Sequence, residues 1–72
     1  MNVIEIKKRM LELDISAKDW AECLGVGLQQ AYRKIKGTSP LTLVQAEKIQ
    51  NLLLIDDADF AFYFLHGHSR VS

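Results

Sequence analysis

Apolar residues recur along this chain at helical spacing, in segments separated by short polar or glycine-containing breaks. In residues 3–13, Ile6, Met10 and Leu13 fall at i, i+4 and i+7, which places them on one face of a first α-helix. The basic run at 7–9 lies largely outside that stripe and is interpreted as a solvated face. No segment alternates apolar and polar residues convincingly enough for a β-strand. The pattern therefore predicts an all-α protein.

Two capping boxes predict where a second and a fourth helix begin. Ser16 and Asp19 can satisfy each other's backbone N–H groups and open a helix over residues 17–24. Thr42 and Gln45 open the fourth helix in the same way, and that helix ends near residue 53. The inward stripes of these two helices are predicted to be Trp20, Ala21 and Leu24, and then Ala46, Ile49 and Leu53.

A tight glycine turn separates the second helix from a third. Gly25 suits the left-handed position that follows a helix, and Gly27 suits the N-cap of the next one. The third helix is predicted from Leu28 to Ile35, ending before Gly37, with Ala31 and Ile35 facing inward. A helix this short is stabilised mainly by packing against the neighbouring helices.

The fifth helix is predicted from Asp57 to Leu65 and is ended by Gly67. Asp56 is expected to cap it together with Asp59, since acidic side chains suit a helix N-terminus. The five helices predict a compact bundle in which the second and third form a helix-turn-helix.

Length and composition agree with one small domain, predicted over residues 1–66 and followed by a flexible tail over 67–72. Hydrophobic residues make up 49% of the chain and charged residues 25%, as in ordinary globular proteins. The single cysteine, Cys23, allows no intrachain disulfide, which suits a reducing cytoplasm. Neither a signal peptide nor a membrane span is expected, because the apolar runs are short.

The charges are unevenly distributed. The formal net charge is zero, which argues against non-specific coating of nucleic acid. Residues 1–40 nevertheless carry seven Lys or Arg against five Asp or Glu, whereas residues 41–72 carry two against four. No acidic residue occurs from Cys23 to Ala46, which favours a basic face around the third helix.

The outward face of the third helix carries side chains that discriminate bases. In the major groove an amide side chain pairs with adenine and arginine pairs with guanine, while apolar groups contact the thymine methyl. We expect base contacts from Leu28, Gln29, Gln30, Tyr32 and Arg33. We expect phosphate contacts at both ends of the motif, from Ser16, Ala17, Lys18, Lys34, Lys36, Thr38 and Ser39. Any single one of these polar residues can equally be a solvated surface residue.

The segment from Ile15 to Thr42 resembles the helix-turn-helix of the lambda repressor/Cro-like (Xre) family. The matching pattern is I-S-x-K-x-W-A-E-x-L-G-V-G followed by x-x-x-A-x-R-K-I-x-G-x-S-P-L-T. With Ile49 and the later D-D-x-D-F, the similarity extends over residues 3–65. The resemblance implies a five-helix domain of a small phage or mobile-element regulator, which binds operator DNA as a dimer on the nucleoid of a bacterial or phage-infected cell. It implies base contacts from the same five residues of the third helix.

Four positions depart from that family. Ala17 stands where the family usually has a glutamine that braces the recognition helix and binds phosphate. Gly27 and Leu28 replace a serine and a polar residue at the start of that helix. Leu54 stands where a glycine often closes the fourth helix. These departures bear on affinity more than on the fold.

The fifth helix has more apolar side chains than one face can bury. Phe60 and Phe64 are predicted to pack inward, which leaves Phe62, Tyr63 and Leu65 without cover. Either a thin core uses every aromatic residue, or these three form a homodimer interface. The dimer is favoured, because it sets two recognition helices about one DNA turn (~34 Å) apart on a palindromic operator.

The sequence gives little indication of metal binding or catalysis. His66 and His68 lack a third metal ligand, Cys23 has no nearby histidine, and no cofactor or enzymatic activity is expected. The favoured function is a Cro-like transcriptional repressor without an effector domain, which binds double-stranded operator DNA and excludes polymerase. The alternative is a protein-binding module, such as an antirepressor or accessory factor that docks on another regulatory protein.

Overall fold

The computed structural model describes residues 1–65, and all the regular structure in them is helical. Helix α1 spans Val3–Leu13, α2 spans Ala17–Leu24, α3 spans Leu28–Lys36 and α4 spans Leu43–Leu52. A single 3₁₀ turn over Asp57–Asp59 leads into α5, Phe60–Phe64. The all-α prediction is confirmed for this part of the chain.

Three of the expectations concern residues outside the described range. The end of the fifth helix at Gly67, the histidine pair His66 and His68, and the tail over 67–72 all lie beyond residue 65. Among the described residues, no helix is long and apolar enough to cross a membrane.

Both predicted capping boxes are present. The Ser16 backbone N–H donates to Asp19 Oδ2 at 2.8 Å, and the Asp19 N–H donates to Ser16 Oγ at 3.4 Å. At α4 the Thr42 N–H donates to Gln45 Oε1 and the Gln45 N–H donates to Thr42 Oγ1, each at 3.1 Å. Four N–H groups that a helix N-terminus leaves without intrahelical partners are satisfied in this way.

Residues in the left-handed backbone conformation end three of the helices, and another follows the fourth helix. Gly25 (φ 68°) ends α2 and Gly37 (φ 83°) ends α3. A Cβ on Gly37 would lie 3.0 Å from Cγ2 of Val3, so this glycine also lets α3 approach the start of α1. Asp14 (φ 56°) ends α1, and Leu54 (φ 55°) follows α4 in the same conformation, which is strained for a residue with a side chain.

The core takes side chains from all five α-helices and from the segment that follows α4. Its buried hydrophobic residues are Ile6, Met10, Trp20, Leu24, Ala31, Ile35, Ala46, Ile49, Leu53, Ile55 and Phe64. The predicted inward positions agree with this set, except that Leu13, Ala21 and Phe60 are only half-buried. The Cα radius of gyration is 11.3 Å, close to the ~11 Å expected for a compact chain of this length.

Arg9 joins α1 to the end of α4. Its Nε donates to the carbonyl of Leu53 at 2.9 Å, and its Nη2 donates to the carbonyl of Leu54 at 3.1 Å. A third bond, from Nη1 to Glu12 at 3.2 Å, lies at the surface. The interpretation of the basic run as a solvated face is therefore wrong for Arg9, whose guanidinium satisfies carbonyl groups that helix α4 leaves free.

The start of the last helix differs from the prediction. The Asp56 side chain makes no capping hydrogen bond, and its backbone carbonyl accepts from the Asp59 N–H at 2.9 Å. The Asp57 carboxylate accepts instead from Nε2 of Gln50 at 2.7 Å. Because these bonds tighten residues 57–59 into a 3₁₀ turn, the α-helical part begins only at Phe60.

Candidate nucleic-acid interface

Helix α3 presents one polar face to solvent. Ala31, Lys34 and Ile35 are buried against the rest of the domain. The five residues expected to contact bases are all exposed, namely Leu28, Gln29, Gln30, Tyr32 and Arg33. Two of them, Leu28 and Tyr32, have large apolar side chains, which are 48% and 50% exposed. The face therefore combines amide and guanidinium groups with apolar surface.

The turn before α3 fixes how this face is presented. The N–H groups of Gly25 and Val26 both donate to the carbonyl of Ala21, so α2 ends in a tight turn. Gly27 is the N-cap of α3 and has no side chain to cap it. The first N–H groups of α3 therefore lack a side-chain acceptor at the N-cap, next to the exposed amides of Gln29 and Gln30.

The cations around α3 form no ion pairs with residues 1–65. The two ion pairs among residues 1–65 both lie within α1, between Glu5 and Lys8 and between Arg9 and Glu12. Basic residues in the last turn of α3 also suit the negative end of its dipole, so part of their role is structural. The exposed charges of this region are thus left to attract an anionic partner.

Six of the seven residues expected to contact phosphate fall into three pairs. Lys18 and Lys36 are exposed and form no ion pair with the described residues. The hydroxyl of Ser16 donates to Asp19 at 3.1 Å, and the hydroxyl of Thr38 donates to the Arg33 carbonyl at 3.1 Å, so both protons are already used. The other two positions, Ala17 and Ser39, are half-buried.

The expectation that Lys34 contacts phosphate is wrong. Only 8% of this residue is exposed, and its ammonium donates to the carbonyl of Pro40 at 3.0 Å and to Gln45 Oε1 at 3.2 Å. Its charge suggests a phosphate contact, but it lies three residues after Ala31, on the buried stripe of α3. Its side chain joins α3 to the start of α4 and is not available to a ligand on the outer face.

A groove between α1 and α3 contains a further cation, Lys7, which the sequence did not place near α3. This cavity of about 400 Å³ is lined by Lys7 and Lys36 together with Met10, Ile15 and Tyr32. Lys7 and Lys36 are far apart in the chain, and only the packing of α1 on α3 brings them to the same groove. The helical period of α1 alone could not have shown this juxtaposition.

The apolar side chains of α5 are only partly uncovered. Phe62 is 50% exposed and Leu65 is 70% exposed, whereas Tyr63 is half-buried and packs against the core. The Tyr63 carbonyl also accepts from the Asn2 N–H at 2.7 Å, which fixes the chain start against α5. Of the three residues expected at a dimer interface, Phe62 and Leu65 therefore offer most of the free apolar surface.

Comparison with known proteins gives no assignment. No family model, no curated protein and no solved structure matches this chain. The likeness to the lambda repressor/Cro-like family therefore rests on the motif residues of the sequence. Within residues 1–65, no group of three or more His, Cys, Asp or Glu side chains is placed to hold a metal ion.

Proposed function

We propose that this chain is a small sequence-specific DNA-binding regulator of transcription, in which α2 and α3 form a helix-turn-helix of the lambda repressor/Cro-like type. One observation carries the proposal: Gln29, Gln30 and Arg33 are exposed together on α3, with no acidic residue from 23 to 46. These are the side chains that make paired hydrogen bonds to adenine and guanine in the major groove.

In this mechanism α3 enters the major groove with its N-terminal turn leading. Gln29 and Gln30 then face base edges, and Arg33 contacts a guanine one turn along the helix. Lys18 and Lys36 contact phosphates on either side, which supplies affinity and positions the helix without reading sequence. Lys34 has no direct part, because its ammonium is engaged inside the domain.

Two copies related by a two-fold axis would bind a palindromic operator. The exposed side chains of Phe62 and Leu65 supply self-complementary apolar surface for such a pair. A bound dimer would repress transcription by occupying the site that polymerase needs. Each copy then contributes its own α3, so the neutral total charge of the chain does not prevent a local basic surface on each half-site.

A second candidate function is a module that binds another regulatory protein. The exposed Leu28 and Tyr32, and the apolar groove beside Tyr32, favour it, because aromatic and aliphatic surface of this kind is typical of protein interfaces. In this version α3 docks on a protein partner, as in an antirepressor or accessory factor. The two candidates use the same face of α3 and differ in their salt dependence.

Selection from random duplex DNA tests the first candidate directly. The chain is immobilised, bound duplexes are amplified, and the enriched sequence is measured by fluorescence anisotropy between 50 and 200 mM salt. Arg33→Ala is expected to cost about 1–3 kcal/mol and to relax the preference at one base position. Lys36→Ala is expected to weaken all sequences equally and to lower the salt slope by about one.

Lys8→Ala is the matched control, since it removes a lysine charge from α1 that is already paired with Glu5. It is expected to leave affinity and salt slope as in the wild type. Failure to enrich any sequence, with no salt-dependent complex, would favour the protein-binding candidate. Unchanged affinity in Arg33→Ala with a normal effect of Lys36→Ala would show that α3 is oriented differently from the proposal.

A further inference from the structure

A second cavity lies beside the buried side chain of Lys34, away from the outer face of α3. Its volume is about 460 Å³, and it opens between the loop that precedes α4 and helix α5. Its walls are mainly apolar, from Leu41, Leu43, Phe60, Phe64 and Leu65, and Lys34 contributes a charged group. The rings of Phe60 and Phe64 both line it, with their centroids 4.8 Å apart and their planes tilted by 31°.

Among residues 1–65, Lys34 has no counter-ion in this cavity. An ammonium group has three N–H donors, and two of them are used by the Pro40 carbonyl and by Gln45 Oε1. Both acceptors are neutral, and no carboxylate of residues 1–65 lies within 4 Å of the ammonium. Burying a cation without an opposite charge is unfavourable, so this group is poised to gain from an anion that reaches its third N–H.

The start of α4 adds to the positive potential at the same place. Thr42, its N-cap, and Leu43, its first residue, both line the cavity. The first N–H groups of a ten-residue helix have no intrahelical acceptor, and the helix dipole favours negative charge there. The Thr42–Gln45 capping box satisfies part of this end, and Gln45 Oε1 accepts from both Thr42 and Lys34.

We infer that this cavity binds a small molecule that carries a carboxylate on an apolar body. The carboxylate accepts from Lys34 and faces the start of α4, while the apolar part lies against Phe60, Phe64 and Leu65. One unpaired cation matches one negative charge, and the apolar walls match a hydrocarbon tail better than a fully hydrated anion. The cavity does not include the outer face of α3, although Leu65 lines the cavity and also belongs to the proposed dimer surface.

Titration with octanoate, followed by two-dimensional amide NMR of the full chain, tests this inference. Octanoate has the carboxylate and an apolar tail, 1-octanol has only the tail, and acetate has only the carboxylate. Octanoate is expected to bind at least about tenfold more tightly than 1-octanol, the factor typical of one charge-assisted hydrogen bond. It is also expected to bind more tightly than acetate, because only its tail can cover the apolar walls. The shifted amides should be those of residues 41–43, 60 and 64–65.

Variants assign the effect to the buried ammonium. Lys34→Met keeps most of the length of the side chain and removes its charge, so octanoate should then bind no better than octanol. Lys48→Met is the matched control, because it removes the charge of an exposed lysine on α4, and it should keep the octanoate preference.

Three results would overturn the inference: equal binding of octanoate and octanol to the wild type, shifts that map elsewhere, or a preference that persists in Lys34→Met. If Lys34→Met does not fold, the first two measurements on the wild-type chain decide the matter by themselves.

Discussion

Replacement of Arg9 by methionine should remove the connection between α1 and the end of α4. The guanidinium donates to the carbonyls of Leu53 and Leu54 and to the carboxylate of Glu12. Methionine keeps most of the aliphatic part of the side chain but has no donor, so the two carbonyls lose their charged partner. The domain should stay folded and become measurably less stable.

The structure allows the size of this loss to be worked out. A hydrogen bond from a charged donor contributes roughly 1.5–3 kcal/mol. The Arg9 side chain is 28% exposed, and water can partly replace the donor, so we expect about 2–3 kcal/mol for the two carbonyl bonds together. The exposed pair with Glu12 should contribute only ~0.2–1 kcal/mol. A domain of this length has a total stability of about 4–11 kcal/mol, so the loss is a large fraction.

Urea unfolding followed by circular dichroism measures the change. With a slope of roughly 1 kcal/mol per molar urea, Arg9→Met should lower the midpoint by about 2 M or more. Glu12→Gln, which removes only the surface pair, should lower it by less than about 1 M. Arg9→Lys should fall between them, because an ammonium reaches fewer acceptors than the guanidinium fork. Equal midpoints for Arg9→Met and Glu12→Gln would refute the reasoning.

Two further changes test the backbone and the surface. Leu54→Gly should raise the free energy of unfolding by roughly 0.5–1 kcal/mol in the same urea assay, because glycine relieves the left-handed strain at an exposed position. A loss of stability would mean that the Leu54 side chain matters more than its backbone. Phe62→Ser combined with Leu65→Ser should weaken self-association in sedimentation equilibrium, whereas Leu11→Ser, at another exposed apolar position, should not. A wild type that stays monomeric at high concentration contradicts the dimer.

Signals that act within one turn of helix were sufficient to predict α1 to α4. The residues of each capping box are three apart, and the glycines that end α2 and α3 follow directly after those helices. The buried stripes repeat at three or four residues for the same geometric reason. The start of α5 was predicted less well. The aromatic residues around α5 have no clear helical period, and the turn that precedes this helix is 3₁₀.

Contacts between distant residues were not predictable from the sequence. Arg9 meets the Leu53 carbonyl across 44 positions, and nothing near Arg9 indicates that partner. Lys34 was interpreted by its charge, although its position after Ala31 placed it on the buried side of α3. The exposure of the Gln29 to Arg33 face did follow from periodicity. The partner of that face did not, since glutamine, arginine and tyrosine serve DNA and protein surfaces alike.

The shortness of α3 would make the lifetime of this protein depend on whether a molecule is bound to the outer face of that helix. A helix of nine residues does not persist alone in water, so its outer face exists only while Ala31 and Ile35 are packed in the core. Any molecule that binds the folded face stabilises the whole chain, by about 2.7 kcal/mol at a hundredfold excess over Kd. Unbound copies would then open more often and would be cleaved first by cellular proteases. The abundance of the protein would then follow the number of binding sites present, without a dedicated degradation signal.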